Sequence, residues 1–497
     1  MNGSKQAPLI FIASNRGPFS FTETEDGEYQ EERGAGGLVT ALSALAQKHE
    51  VVWVAASMGE GDQKWADRYK DELQDVEGIF LKLINPEPQA YDYYYNQIAN
   101  PLLWFIQHQL WNIVSDPVID DQTWRAWEEG YKPINEFFAQ TIAEIIPDSD
   151  REVIILVQDY HLYLVPYYLR KLIGRRAHIQ LFSHIPWPGP DAWRILPSQM
   201  RDQLLEGLLS ADVVGYQTRK DAFNFVQTCR FYLDEAHSLG ARDAITYKGY
   251  RIQAKAYPIS IDVKRVEELA KDSETIFFKS QFVDYVKSNK LILRVDRIEP
   301  SKNILRGLEA FRMLLQLHPE YIGEVQMLAL LVPSRMEVTE YQDYLQAVMA
   351  KAGMINAEFS SSMWEPIRII VGDNYQRAIA AMELYDVLLI NPIADGMNLV
   401  AKEGVLVNQK NGVLVLSEHA GAFYEMGDQA LSISPFDVYG TAEAIHAGLT
   451  MSTDERFERA NHLQALVRKS DVNTWFYDQV DDALRLLANQ ANNSSTP

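Results

Sequence analysis

Short apolar runs punctuate the chain at Leu9–Ala13, Val51–Ala56, Val153–Val157, Ile179–Phe182 and Val213–Tyr216, with helix-period segments between them. That alternation predicts parallel strands joined by crossover helices. A second series begins at Leu291–Val295 and continues through Met327–Val332, Ile367–Val371, Val387–Ile390 and Val413–Leu416. The pattern therefore predicts an α/β protein of two Rossmann-like halves. Their seam is expected near Tyr257–Asp262, where a strand-like run reaches Pro258 and the residues beyond turn charged and helical in pattern. The expected division is 1–258 and 259–470, followed by a helix over 471–490 and a loose polar tail over 491–497. Trp475, Phe476, Val480, Leu484 and Leu487 share one face of that last helix. Such a face has to be buried, which predicts that the helix crosses back to the first half. No linker or internal repeat intervenes, so the halves are expected to face each other across a cleft, with ligands outside the carboxyl ends of the strands.

Length and composition agree with two cores: 497 residues, 47% of them apolar. The 68 acidic and 46 basic side chains give a net charge of −22, which disfavours nucleic acid as a partner. An anionic substrate stays open, because a few arginines can reverse the field locally. Cys229 is the only cysteine, so a disulfide framework and a cysteine-based zinc site are both excluded within one chain, and a reducing cytoplasm fits. Met1–Pro8 lacks the signal-peptide pattern, and every apolar run falls far short of the roughly 20 residues of a membrane helix. Neither export nor a membrane partner is predicted, and a homo-oligomer is compatible with everything above.

Five segments carry candidate chemistry. Asn391–Glu403 (NPIADGMNLVAKE) follows an apolar strand and opens a helix. The N–H groups of Met397, Asn398 and Leu399 at its positive end suit a diphosphate; Asp395 suits sugar hydroxyls and Glu403 a ribose. An N-capped helix with a solvated acid reads equally well from spacing alone. Arg297 and Lys302, in RIEPSK after Leu291–Val295, can neutralise a diphosphate leaving group without a metal, or can be ordinary surface bases. His184 in SHIPWPGPDAW can bond a sugar hydroxyl or can serve as a capping or core histidine. Asp159 in VQDYHL ends the neighbouring run and can act as an acceptor-binding carboxylate, with His161 orienting local structure. At the amino-terminal end, Arg16 follows the first strand, and GAGGL (Gly34–Leu38) lacks the third glycine of a dinucleotide fingerprint. Its Gly36 and Gly37 still allow close approach to a phosphate or sugar. Tyr95 and Trp104 lie in an aromatic stretch of the kind that is usually core. Arg335 in VPSR is a second candidate for an anionic acceptor group. Asp148 and Asp150 precede their strand, at the wrong sheet edge for a metal-diphosphate site.

Taken together, SNR, GGL, YYNQ with LW, DYHL, HIPWP, RIEPSK, VPSR and DGMNLVAKE resemble, in that order, the trehalose-6-phosphate synthase family, glycosyltransferase family 20, with bacterial members as the nearest likeness. The resemblance runs from about Leu9 to Ala488. It implies a GT-B fold, no metal and no cofactor, and retaining transfer of glucose from a nucleotide sugar to glucose 6-phosphate. It assigns Arg297 and Lys302 to the donor diphosphate, Asp395 and His184 to the transferred sugar, the backbone from Met397 through Val400 to the donor, and Glu403 to its ribose. On the acceptor side it assigns Arg16, Tyr95, Trp104 and Arg335 to the phosphorylated sugar, Asp159 to its hydroxyls and Gly37 to the reacting centre. Three positions depart from the family pattern: Gln158 where histidine is common, Trp187 where phenylalanine is, and Ala394 where arginine often precedes Asp-Gly. Lys302-Asn303 replaces lysine-glycine, and SEHAGA at Ser417–Ala422 resembles branches that include GDP-sugar enzymes and pseudo-glycosyltransferases. UDP, GDP and ADP donors stay open, as do a glycerol 3-phosphate or cyclitol acceptor and a non-catalytic sugar-phosphate sensor. The sequence ends without the additional phosphatase domain that some relatives carry, so a separate phosphatase is the expected downstream partner.

Overall fold

The computed structural model describes residues 7–34, 49–238, 243–335, 337–470 and 472–494, the last five of these by their backbone alone. The chain divides into two compact units, Met1–Pro258 with Val472–Pro497 and Ile259–Asp471.

The first unit contains β1 (Leu9–Arg16), β2 (Phe19–Glu23), β3 (Tyr29–Arg33), β4 (Glu50–Ala56), β5 (Gln74–Val76), β6 (Ile79–Ile84), β7 (Val153–Gln158), β8 (His178–Phe182), β9 (Val213–Tyr216), β10 (Ala244–Tyr247) and β11 (Tyr250–Ala256). Nine of these form one sheet in the order β10-β11-β9-β8-β7-β1-β4-β6-β5. The strands from β11 to β6 are mutually parallel, and β10 and β5 close the edges antiparallel. Ile10 through Ala13 are fully buried, as expected of a strand covered on both faces, which is why the run reads as continuously apolar. The chain steps outward from β1 to β4 and β6, then returns to β7 on the other side. Between β1 and β7 the strand order therefore reverses.

The elements missing from the predicted series have no unbroken apolar run. In β2, paired antiparallel with β3, buried Phe19 and Phe21 alternate with exposed Ser20 and Thr22. Lys82 interrupts β6, and β5 has three residues. The last helix, Val472–Ser494, runs past the expected end at 490, so 491–494 are helical rather than tail. No glycine or proline stops it there. Trp475, Phe476 and Val480 are buried, with Leu484 and Leu487 half-buried. The helix is fastened to this same unit by Gln180–Gln479 (3.0 Å), by Asp482 to Lys255 (2.8 Å) and Tyr257 (2.9 Å), and by the edge-on Phe182–Trp475 contact.

The second unit contains β12 (Lys290–Arg297), β13 (Val325–Val332), β14 (Ile367–Val371), β15 (Val387–Ile390), β16 (Val413–Ser417) and β17 (Leu431–Ile433). They form an all-parallel sheet in the order β14-β13-β12-β15-β16-β17, the 3-2-1-4-5-6 order of a dinucleotide-binding fold. Ile292, Met327, Leu331, Val387 and Val415 pack with Leu308, Phe311 and Leu314 of the helix Ile304–Leu317 in its core. Each such side chain contributes about 1.5–3 kcal/mol on burial, which fixes the strand ends that carry the polar loops. Here the order reverses between β12 and β15, and the loops at 298–303 and 391–398 leave from that point. Among the described residues no helix is long and apolar enough to cross a membrane.

Candidate active site

In the second unit the ends of β12 and β15 bring four charged side chains together, and Arg335, from beyond β13, joins them as a fifth. Arg297 is the last residue of β12 rather than the first of its loop, and its guanidinium is about half exposed. Glu299, fully buried, accepts from Arg297 Nη2 (3.3 Å), Ser301 Oγ (2.9 Å) and Arg335 Nη1 (3.4 Å) and lies 3.9 Å from Lys302 Nζ. Lys302 Nζ is also paired with the Asp395 carboxylate. Burial opposes the Lys302 charge, but Asp395 and Glu299 outweigh it and hold its pKa above the usual lysine value. Three cations thus face two carboxylates, and the surplus positive charge suits an anion. Arg335 adopts a left-handed backbone (φ 46°) and donates to Tyr341 Oη at 2.6 Å, so it is held inward toward Glu299 rather than reaching freely.

A buried framework sets this geometry. Arg294 donates to Asp296 (2.8 Å) and to the carbonyl of Lys302 (3.1 Å), which braces the loop from below. Asn303, in the left-handed region at φ 57°, donates to the carbonyls of Asn391 (3.0 Å) and Pro435 (2.7 Å) and so ties the two loops together. Asp395 stands five residues beyond the end of β15, because Asn391–Ala394 form a loop first. Its Oδ2 accepts from Asn398 Nδ2 (3.0 Å), while its backbone bridges to Ala420. Asn398 caps the helix Leu399–Val407 by accepting from Ala401 N–H at 3.2 Å, and its φ of 73° explains an asparagine there. Met397 N–H, Asn398, Leu399 and Val400 thus occupy the positive start of a nine-residue helix. Behind it, a Cβ on Gly421 would stand 1.8 Å from the Gly396 carbonyl, so only glycine lets SEHAGA approach. Glu403, one turn in, accepts from Tyr375 Oη (2.8 Å), and burial raises its pKa despite that bond. Lys402 points the other way, fully buried, donating to Ile259 O and Glu425, both at 2.9 Å.

The first unit's β1/β7 reversal is of a different character. Arg16 is the exposed last residue of β1. Beside it, buried Asn15 bonds Tyr91 (3.1 Å) and Tyr94 (3.0 Å). Burial raises both phenols well above the usual tyrosine value, so they remain hydroxyl donors. Tyr95 lies in the wide π-type helix Tyr93–Leu103 and stacks between Tyr91 (5.7 Å) and His161 (5.6 Å). Trp104 is buried, stacked on His108 and edge-on to Tyr160. Asp159 follows β7 with φ 73°, and its Oδ1 accepts from His184 N–H (3.1 Å). Its φ of 73° and ψ of 171° lie in a region that residues other than glycine seldom adopt.

His184 Nε2 lies 3.0 Å from Gln158 Oε1, and its ring rests near Phe182 and Trp475. Burial pushes its pKa down to about 4, so the ring is neutral near pH 7. The following loop is rigid: Trp187 N–H donates to Asp221 (2.9 Å), its indole to Thr228 (3.2 Å), and its ring stacks on Trp193. Gly37 and the rest of GGL lie outside the described residues. Among the described residues no group of three or more His, Cys, Asp or Glu side chains is arranged to hold a metal ion.

Sequence reasoning did not single out Glu299, Asn15, Tyr91 and Tyr94. The signal for Glu299 was an acid spaced between two bases at a strand end; the tyrosines carried none that separates them from core.

Two Rossmann-like units, one with a cluster of paired cations at its strand reversal, are the arrangement of a GT-B glycosyltransferase. The chain belongs to glycosyltransferase family 20, whose model matches residues 9–485. It is 31% identical over 497 residues to the alpha,alpha-trehalose-phosphate synthase [UDP-forming] of Botryotinia fuckeliana, covering 99% of this chain and 92% of that one. The bifunctional trehalose-6-phosphate synthase/phosphatase of Thermoproteus tenax is also 31% identical, with 94% of this chain matched to 62% of that protein. Among solved structures, trehalose-6-phosphate from E. coli bound with UDP-2-fluoro glucose superposes with a TM-score of 0.82 at 27% identity, covering 96% of this chain and 98% of that one. An alpha,alpha-trehalose-phosphate synthase (UDP-forming) from Burkholderia xenovorans in complex with glucose-6-phosphate gives 0.81 at 27% identity, covering 96% and 100%.

Proposed function

We propose that this glycosyltransferase moves glucose from UDP-glucose to glucose 6-phosphate with retention, forming alpha,alpha-trehalose 6-phosphate. The observation that carries this reading is the Arg297–Glu299–Lys302–Asp395 cluster at the β12/β15 reversal, next to a capped helix start. The donor base is taken from the UDP-forming relatives and from the UDP-2-fluoro glucose neighbour; the acceptor is taken from the glucose-6-phosphate complex.

In this assignment the diphosphate takes Arg297 and Lys302, and the helix start from Met397 to Val400 adds backbone N–H groups. Asp395 gives up part of its pairing with Lys302 to accept from sugar hydroxyls, and Glu403 accepts from the ribose. As the bond between the anomeric carbon and the phosphate oxygen breaks, negative charge grows on the leaving phosphate. Arg297 and Lys302, already fixed by Glu299, stabilise that charge without reorganising. The acceptor hydroxyl attacks from the face the phosphate leaves, and its proton passes to the leaving phosphate oxygen. Neutral His184 hydrogen-bonds the transferred sugar, Asp159 the acceptor hydroxyls, and Arg16, Tyr95, Trp104 and Arg335 serve the acceptor phosphate side, with Gly37 near the reacting centre. The phosphorylated product calls for a phosphatase downstream, and the lone, buried Cys229 suits a reducing cytoplasm.

The experiment is a matrix of UDP-, GDP- and ADP-glucose against glucose 6-phosphate and glycerol 3-phosphate, with products read by mass and anomeric configuration. The reading predicts a retained, phosphorylated disaccharide from UDP-glucose and glucose 6-phosphate. Transfer only to glycerol 3-phosphate, or binding without turnover across the whole matrix, overturns it.

A further inference from the structure

Another loop leaves the carboxyl edge of the second sheet after β14, and it delivers Tyr375. β14 ends at Val371, and Tyr375 follows four residues later as the first residue of the helix Tyr375–Met382. Asn374 caps that helix by accepting from Arg377 N–H (2.7 Å) and donates its own amide to Glu274 (3.1 Å), which fixes the backbone that carries the phenol. Tyr375 Oη then donates to Glu403 Oε1 at 2.8 Å. Glu403 is only partly buried, and among the described residues no other protein group bonds its carboxylate, so Oε2 is left for a ligand. Tyr375 itself is 38% exposed, which puts the pair at a surface rather than in the core.

Glu403 stands four residues after Leu399, on the same face of the helix and about 6 Å along its axis. Helical side chains lean back toward the amino end, which aims this carboxylate at the positive helix start. A diphosphate seated there brings the ribose of its nucleoside beside Glu403. With one oxygen already held, the carboxylate has less freedom to lose when the hydroxyls arrive. Burial and the charge of Glu403 hold the Tyr375 phenol well above the usual tyrosine value, so the phenol is the donor of the pair. Its bond opposes the rise that burial imposes on Glu403 and favours the ionised acid, the form that accepts from two hydroxyls. Asp262 and Arg265, beside the helix start at Val263, are the other charged groups acting on the phenol, and Lys402 is turned away to Glu425. A bond made only to join the two helices has less to explain it, since each already buries an apolar face: Ala378, Ile379 and Met382 on one, Ala401, Val405 and Leu406 on the other.

Given the nucleotide-sugar reading above, on which this rests, we propose that Tyr375 is a positioning residue for the donor's ribose: by holding one oxygen of Glu403, it presents the other to the ribose hydroxyls.

The test is calorimetry on the full chain with UDP, GDP and ADP and with their 2′-deoxy counterparts, in wild type, Tyr375→Phe, Glu403→Gln and the double variant. Each variant must keep the wild-type melting temperature; should E403Q fail that, Y375F alone decides. Wild type should prefer the ribonucleotide over its 2′-deoxy form by about tenfold or more. Y375F and E403Q should each cut that preference to about threefold or less, and the double variant no further than E403Q, because the phenol acts through the carboxylate. A purely structural role for Tyr375 would weaken both nucleotides alike, so an intact preference in Y375F overturns the proposal. A double variant clearly below E403Q would put the phenol on the ribose itself and overturn it too. Wild type that binds a ribonucleotide and its 2′-deoxy form equally overturns it while leaving the transfer reading standing; wild type that binds none of the three diphosphates overturns both.

Discussion

Where the first sheet reverses, between β1 and β7, the inward side chains are mostly neutral and aromatic: Asn15 bonded to Tyr91 and Tyr94, Tyr95 stacked on His161, and His184 uncharged beside Gln158. Where the second reverses, between β12 and β15, they are ionic: Glu299 and Asp395 hold Arg297, Lys302 and Arg335. One topology thus presents two surfaces suited to different halves of a reaction. Under the proposed assignment, the fixed charge of Arg297 and Lys302 answers a diphosphate, whose charge grows as its bond breaks, and the hydroxyl, amide and ring faces answer a sugar. The ionic set also holds itself in place, since each cation is already paired, and that preorganisation favours electrostatic stabilisation of a transition state.

The contrast can be broken most severely at Lys302. Lys302→Ala should lower kcat by about 10³-fold, the scale of removing a preorganised group that meets transition-state charge. Glucosyl transfer rates measured alongside a thermal melt check this, and a folded variant within a few-fold of wild type contradicts the ionic account. Glu299→Gln comes next. It removes the buried charge that three cations share, so a loss of about 3–5 kcal/mol in chemical denaturation is expected, with weaker UDP binding. An unchanged midpoint would show that the cations hold themselves without it.

On the neutral side, Asn15→Ala leaves Tyr91 and Tyr94 without their shared partner. An increase in KM for glucose 6-phosphate worth about 1–2 kcal/mol is expected, with the affinity for UDP unchanged. A matching loss of UDP affinity would erase the division of labour. The smallest effect concerns pH. His184 has a folded pKa of about 4 against a usual 6.5, so the unfolded chain binds the extra proton first. Stability is therefore lost as pH falls from about 6.5 toward 4, and His184→Asn should flatten that limb of a melting-temperature profile relative to wild type. Parallel profiles would mean the ring is not held neutral.

Much of the ionic region was legible in the sequence and little of the neutral one. Arg297, Lys302 and Asp395 stand in segments that follow clear apolar runs, and it was their order among the other motifs, not their spacing, that set them apart from surface charges. Glu299 was visible as a letter within RIEPSK, but its role depends on Arg335, which arrives from the end of another strand. Tyr91 and Tyr94 are spaced as core aromatics on a helix, and only the position of Asn15 distinguishes them. The same logic governs the fold. Central parallel strands were evident from continuous burial, whereas β2, β3 and the three-residue β5 and β17 lack the run that periodicity needs. The last helix overran its expected end because polar composition was read as a stop where no breaking residue occurs.

The most direct test of the ionic account is Arg297→Ala assayed for glucose transfer from UDP-glucose to glucose 6-phosphate. Arg297 is half exposed, so its loss should leave the melting temperature close to wild type. The account predicts a folded protein with transfer reduced by at least about 10²-fold. Undiminished turnover by that folded variant would contradict it.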